Sequence, residues 1–409
     1  MKYQILYRFV FRLTVFLLIA GCTKELPVKE ELPGGDEFTR IVFSPSNFTK
    51  AGDLHAPTAG NEDGIKSLDV YGIAWGKNSN ESELRVINIF HAPGVNPTYG
   101  EEVWGEIRGD TAVIMSSLFE RNLRSETVDY VNLYAIANIK QLETVNTESF
   151  KSFEGYNIEI ANAVKNYNPI KGSYIDQNLE NKLKNLVVKA NDLSTALEYP
   201  VMAQMMKVEG GVSYLHMPLE RIYCRIGFSF LFTGNTADRI KIDKIAIDKT
   251  NGQGFLFLEE NETGGPSLGS LVWSADLNGP GAFKEAKGTV YTNGEQPTGG
   301  ALVTLYAESS SVAPLYFRTC QYLCDSEAEV PSITLDITVS GNGGTKKRTL
   351  TAPLYSSEGT GNKKHYGFLR NHSYQVISTI NTSTLKLENV AVEMRDWKDR
   401  PPVDIPEFE

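Results

Sequence analysis

Runs in which apolar residues alternate with polar ones dominate the chain, and they predict strands. Ile222, Cys224, Ile226, Phe228 and Phe230 recur at strict period two, the pattern of a half-buried strand. Leu68-Asp69-Val70-Tyr71-Gly72-Ile73-Ala74-Trp75 alternates loosely, and residues 128–137 form a longer run that reads as buried on both faces. Further strands are expected at 38–44, 240–247, 288–291, 301–306, 315–323, 332–339, 347–354, 373–380 and 385–394. Turn signals at Asn251-Gly252, Asn293-Gly294 and Gly341-Asn342-Gly343-Gly344 separate several of them. One interval differs: residues 157–167 and 178–193 carry apolar residues at helical spacing, as in Leu179, Leu183, Leu186 and Val187, so one or two short helices interrupt the strands. Residues 91–106 read as loop. The expected class is mostly β, with antiparallel sheets packed as a β-sandwich in the second half, where no helices alternate with the strands.

The first residues follow another plan. Lys2, Arg8 and Arg12 precede a short apolar run at 13–20, which is the layout of a secretory signal peptide. The run is shorter than the roughly 20 residues that span a bilayer. Ala20 and Gly21 followed by Cys22 complete a bacterial lipobox, so cleavage before Cys22 and acylation of that cysteine are expected. Each buried methylene of an acyl chain contributes about 0.8 kcal/mol, so several chains make a stable membrane anchor. Residues 1–21 are thus a leader. Residues 22–36, charged and rich in Pro and Gly, are a tether.

The 409 residues exceed what one hydrophobic core usually holds, so two domains are expected after the tether. A net charge of -10 excludes a nucleic-acid partner bound through a basic field. Besides Cys22 there are Cys224, Cys320 and Cys324, an odd number, so one thiol is left over whatever else pairs. Cys320 and Cys324 on one straight strand would lie about 13 Å apart. A disulfide between them needs a turn at Gln321-Tyr322; buried thiols are the favoured reading. The five histidines, His55, His91, His216, His365 and His372, show no metal-ligand spacing. Gly265-Pro266-Ser267-Leu268-Gly269 matches a nucleophile-elbow string but lacks the strand before and the helix after, so Ser267 reads as a loop residue. No catalytic residue, cofactor or metal is expected.

The two ends of the chain carry the remaining signal. Thr39, Ile41 and Phe43 make one face of a short strand just after the tether. Val390, Val392, Met394, Trp397, Val403, Ile405 and Phe408 make another near the far end, where Pro401, Pro402 and Pro406 rule out a central strand. Such an arm can complete another molecule's sheet, or it can fold back on its own domain. Composition leaves both open.

In order and spacing, several strings resemble the fimbrillin family, the lipoprotein-derived pilins of Bacteroidales-type fimbriae. They are the lipobox and tether, Ile65-Lys66-Ser67-Leu68-Asp69-Val70-Tyr71, Leu133-Tyr134-Ala135-Ile136-Ala137-Asn138, Pro218-Leu219-Glu220-Arg221-Ile222-Tyr223-Cys224-Arg225-Ile226, Leu369-Arg370-Asn371-His372-Ser373-Tyr374 and the closing 390–397. The resemblance implies two tandem transthyretin-like antiparallel β-sandwich domains, here 37–211 and 212–409, with a donor-strand tail at 387–409. It also implies no enzymatic activity and a route: export to the outer membrane on the lipid of Cys22, then proteolytic removal of the first strand. That strand carries Thr39, Ile41 and Phe43. A neighbour's C-terminal strand then enters the opened groove, so the partners are other fimbrial subunits, the membrane and, for adhesion, a host or bacterial surface ligand. The implied cut is at Lys50-Ala51, with Arg40-Ile41 as a second candidate; the usual arginine is a lysine here. An uncut chain keeps its lipid and serves as an anchor subunit. The runner-up is a glycan-binding surface lipoprotein using Trp75, Trp104 or Tyr99.

Overall fold

The computed structural model describes residues 39–46, 64–77, 84–92, 103–144, 147–166, 177–190, 199–210, 212–234, 239–258, 270–276, 289–292, 303–304, 316–324, 326–341, 343–355, 357–358 and 365–395. The alternation at the start is met directly. In β1 (Thr39–Pro45) residues 39, 41, 43 and 45 are buried and those between are half-buried. The following strands are β2 (Leu68–Lys77), β3 (Leu84–Ala92), β4 (Val103–Arg108), β5 (Thr111–Ser116), β6 (Val128–Ala137), β7 (Val187–Lys189), β8 (Met202–Glu209) and β9 (Tyr214–Arg221). All but β7 form one sheet in the order β3-β2-β6-β8-β9-β1-β5-β4. The sheet is hinged, because β8 meets β9 only at Met202 with Arg221 and Ala203 with Glu220. Ile41, Phe43 and Ile114 on one leaf share a core with Val70, Leu133 and Ala135 on the other, so the leaves face each other.

Three of the helices cover the second leaf, while the first puts Phe119 and Leu123 into the core between the leaves. The helices are α1 (Ser117–Arg124), α2 (Gln141–Thr144), α3 (Glu148–Asn166) and α4 (Gln177–Lys184). Phe153, Tyr156 and Ile160 of α3 pack with Tyr71, Tyr134 and Ile136 of the sheet. Burying side chains of this size contributes about 1.5–3 kcal/mol each. The helical expectation over 178–193 is corrected beyond Lys184. The β-branched pair Val187-Val188 lies in β7, which pairs with β12 (Gln253–Phe255) of the second half. The loop expected over 91–106 is also corrected at both ends, where β3 reaches Ala92 and β4 begins at Val103. The short α1 carries no long apolar stripe and was not anticipated by the spacing.

From Cys224 onward the chain builds two further sheets. Their strands are β10 (Cys224–Thr233), β11 (Arg239–Asn251), β13 (Ser270–Asp276), β14 (Thr289–Thr292), β15 (Val303–Thr304), β16 (Tyr316–Thr319), β18 (Ser332–Gly341), β19 (Gly344–Pro353), β22 (Ser373–Asn381) and β23 (Lys386–Arg395). One sheet runs β15-β10-β22-β23 with β16 also on β10; the other runs β13-β11-β18-β19 with β14 on β11. Phe228, Phe230, Tyr374 and Val376 of the first share a core with Ile240, Ile245, Leu335 and Ile337 of the second. The two sheets therefore pack as a sandwich. Three short strands, β17 (Tyr322–Cys324), β20 (Ser357–Glu358) and β21 (His365–Phe368), form a separate sheet. β18 and β19 pair from Gly341 with Gly344 onward, at the expected turn signal, and Gly344 holds φ +89°, a conformation that glycine adopts without strain.

Three expectations change here. Residues 315–323 are two strands, β16 and β17, broken at Cys320 and Gln321. The described pairing is not all antiparallel: β1 runs parallel to β9, and β10 parallel to β22. The third concerns 222–230, which is broken before Cys224 and is buried on both faces rather than one. Its polar positions are matched by a neighbour: Arg225 Nε donates to Ser373 Oγ at 2.9 Å, and the Ser229 and Gln375 side chains hydrogen-bond at 2.8 Å. Cys224, Cys320 and Cys324 are buried free thiols. Burial pushes the Cys224 thiol above its ordinary range, so it behaves as a small apolar side chain. All these elements belong to one compact unit starting at Thr39.

Candidate functional site

β1 does not sit at a sheet edge. It lies between β9 and β5, with Ile41 opposite Leu215 on one side and Ile114 on the other. Arg40 N–H donates to Ser213 O, just before β9, at 3.0 Å and Ser46 N–H to Leu219 O of β9 at 2.6 Å. Ile41 and Phe43 are fully buried in the core between the leaves. Across β9, Ser44 Oγ and His216 Nε2 are 2.8 Å apart on the exposed side. The strand is short, and its neighbours in space are remote in sequence.

Both ends of β1 meet buried polar groups. At the start, the Thr39 hydroxyl bonds Glu120 Oε2 on α1 and lies 2.9 Å from Val212 O. Glu120 is buried, and its other oxygen is paired with Arg124 one helical turn on. At the far end, Ser46 O accepts from Arg221 Nη1 and Asn371 Nδ2, each at 3.4 Å. Asn371 Oδ1 in turn accepts from Arg221 N–H at 3.2 Å and Arg221 Nη1 at 3.0 Å, and Asn371 N–H donates to Tyr223 O at 2.9 Å. Asn371 holds φ +60°, a left-handed conformation that asparagine tolerates better than most residues.

The node extends on both sides. Arg370 Nε and Nη2 both reach Glu220 Oε2 at 3.0 Å, Nη1 donates to Leu256 O at 3.1 Å, and its N–H donates to Gln321 Oε1 at 3.2 Å. Burial lowers the Arg370 pKa from its ordinary value while Glu220 opposes that shift. Arg225 N–H donates to His372 O at 3.1 Å, and His372 Nδ1 is 2.7 Å from Arg370 O. The strings at 218–226 and 369–374, 150 residues apart in sequence, thus meet at the corner between β9 and β10. Their polar residues hydrogen-bond one another and the end of β1, and buried networks of this kind favour one arrangement. Asn138 does the same at another corner: its φ is +64°, and its side chain bonds Lys66 N–H at 2.7 Å and Gly64 O and Pro200 O at 2.8 Å.

The sequence-derived candidates are scattered across this frame. Thr39, Arg40, Ile41 and Phe43 lie in β1. The Arg40-Ile41 bond is inside a strand paired on both sides. Val390, Val392 and Met394 lie in β23, which pairs with β22 as an edge strand; Val390 and Val392 pack on their own core, and Met394 is 45% exposed. Cys22, Lys50, Ala51, Trp397, Val403, Ile405 and Phe408 lie outside the described residues, as do His55, Tyr99 and Ser267. Trp75 is half-buried and stacked on Tyr130 with ring centroids 6.2 Å apart. The sequence reading did not single out Glu120, Arg221 or Asn371 as partners of β1. Their signal existed only as polar residues inside apolar strings.

No family model matches the sequence, and no curated protein does. Solved structures do match. A candidate cell adhesion protein from Parabacteroides distasonis aligns over 88% of this chain and 97% of its own, at 14% identity with a TM-score of 0.50. The C-terminally truncated tip fimbrial protein Mfa3 from Porphyromonas gingivalis aligns over 88% of this chain and 100% of its own, at 10% identity with a TM-score of 0.42. A candidate cell adhesion protein from Bacteroides eggerthii aligns over 90% and 97%, at 11% identity with a TM-score of 0.41. At such identities the likeness is one of fold. The chain shares the architecture of the Parabacteroides distasonis protein.

Proposed function

We propose that the chain is a structural subunit of a surface fimbria, exported as a lipoprotein on Cys22 and assembled by strand insertion. The observation that carries this reading is the place of β1: a short strand in the interior of a sheet, between partners remote in sequence. Taking it out exposes the backbone edges of β5 and β9 and the pockets of Ile41 and Phe43, a strong acceptor for one extended strand. Head-to-tail insertion of this kind is heterologous and builds a filament. The favoured cut is Lys50-Ala51, because Arg40-Ile41 would have to leave the sheet before a protease could bind it. The proposed donor is residues 396–409 rather than β23, which its own sheet already uses. The two tandem transthyretin-like domains are proposed to divide at the corner after Arg221, because a boundary at 211/212 would part β9 from the sheet it pairs in.

The test is the intact mass and N-terminal residue of the protein recovered from the outer surface of its native cell. A processed subunit starts at Ala51 and carries no acyl mass. A chain that retains acyl groups on Cys22 with β1 in place rejects processing and leaves the anchor subunit, the second reading, which the lysine at position 50 favours. Truncation after Arg395 should then abolish polymer growth while export continues; polymers formed by that truncation reject the donor assignment.

A further inference from the structure

The polar groups at the two ends of the β1 slot make it selective. We infer that the slot takes a strand from a different subunit, one with a hydrogen-bond donor at the Thr39 position and apolar side chains at the Ile41 and Phe43 positions. It rejects residues 397–409 of this same chain. The inference rests on the proposal that β1 is exchangeable.

The Thr39 hydroxyl has one proton and two acceptors beside it, the buried Glu120 Oε2 and the half-buried Val212 O. With a strand seated in the slot Glu120 is buried, and Arg124 is engaged on its other carboxylate oxygen. An entering strand must bring a donor there or leave them unmatched, and an unmatched buried carboxylate is costly. The far end asks for less. Arg221 and Asn371 bond the main-chain carbonyl of Ser46, which any residue supplies, so they set how far the strand slides in and not what it is. One end reads chemistry; the other sets register.

Residues 397–409, Trp-Lys-Asp-Arg-Pro-Pro-Val-Asp-Ile-Pro-Glu-Phe-Glu, fail this requirement. They hold no serine or threonine. With Val403 and Ile405 in the Ile41 and Phe43 pockets, Pro401 faces Glu120, and Pro402 cannot replace the Arg40 N–H donated to Ser213 O. Moving the pair to Pro401 and Val403 puts Asp399 against Glu120, and moving it to Pro406 and Phe408 puts Asp404 there. Running the segment in reverse with Ile405 and Val403 in the pockets brings Glu407 to the same place. Each frame sets a carboxylate or a proline beside a carboxylate.

The experiment uses the full chain cut once, at an engineered protease site between Ser46 and Ile65, so that β1 stays bound without a covalent link. Three labelled peptides compete for its place: residues 37–47, the same peptide with Thr39→Val, and residues 395–409. The native peptide should exchange in, the Thr39→Val peptide should bind at least about tenfold more weakly, and 395–409 should not enter. Glu120→Gln in the chain should narrow the gap between the first two. In the uncut chain, Thr39→Ser should keep the melting temperature and Thr39→Val lower it by about 2 °C. Entry of 395–409 as tightly as the native peptide, or equal melting of the Ser and Val variants, overturns the selectivity while exchange stands. Failure of every peptide to enter, the native one included, overturns exchange itself and the inference with it.

Discussion

β1 and β10 occupy matching places in the two halves of the molecule and are held there in different ways. Each has a parallel neighbour far away in sequence, β9 for β1 and β22 for β10, and an antiparallel neighbour on its other side. β10 is longer, pairs with β22 over positions 225–233, and follows β9 through the tight corner of Ile222 and Tyr223. Nearly every side chain in it is buried, polar ones included. β1 buries only alternate residues and depends on polar side chains at its two ends. The physical difference is one of replaceability. A long strand packed on both faces and continuous with the next element is part of the fold's foundation, whereas a short one held by alternate pockets and end contacts is the one proposed for exchange.

The largest expected effect breaks the comparison at its stronger side. Phe230→Ala in β10 should cost about 3–5 kcal/mol of global stability in urea denaturation, the usual penalty for emptying an aromatic core position. Phe43→Ala empties an equally buried position, but its effect should stay local. Hydrogen exchange should quicken at the amides of β1, β5 and β9, with an apparent loss of about 2 kcal/mol there, while β10 and β22 keep their protection. Equal loosening of both halves would mean that β1 is as deeply built in as β10. Asn371→Gly keeps the positive φ and removes the side-chain bonds to Arg221 and Ser46, so about 1–2 kcal/mol should be lost, and protection should fall at the β9–β10 corner. Ser44→Ala, on the outward side of β1, should change stability by no more than about 0.5 kcal/mol; a larger loss would show that the contact with His216 helps to hold the strand.

Much of the β architecture was legible because alternation follows from burial on one face. The strands at β2, β6, β11, β18, β19, β22 and β23 were expected close to where they lie. Legibility failed where a partner remote in sequence changed the environment. Val187-Val188 continues a helical spacing, yet pairing with β12 draws it into a strand. Arg225 and Ser229 look like the wet side of a half-buried strand until Ser373 and Gln375 cover them. For residues 390–394 the sequence left open a donor arm or a strand folded back on its own domain, and pairing with β22 decides for the second.

The same division holds for the candidate site. By itself the sequence determined that a short strand with buried Thr39, Ile41 and Phe43 would form near the start, because a period-two pattern ended by Pro45 has few other uses. The strings around Arg221 and Asn371 stood out only through their resemblance to a family. Only the tertiary structure decided that β1 is an interior strand, that Glu120 receives one end and Arg221 with Asn371 the other, and that β10 repeats its placement with both faces buried. Those facts depend on contacts between segments 69 to 325 residues apart. Local propensity cannot encode such contacts, since they form only when separate sheets close over one core.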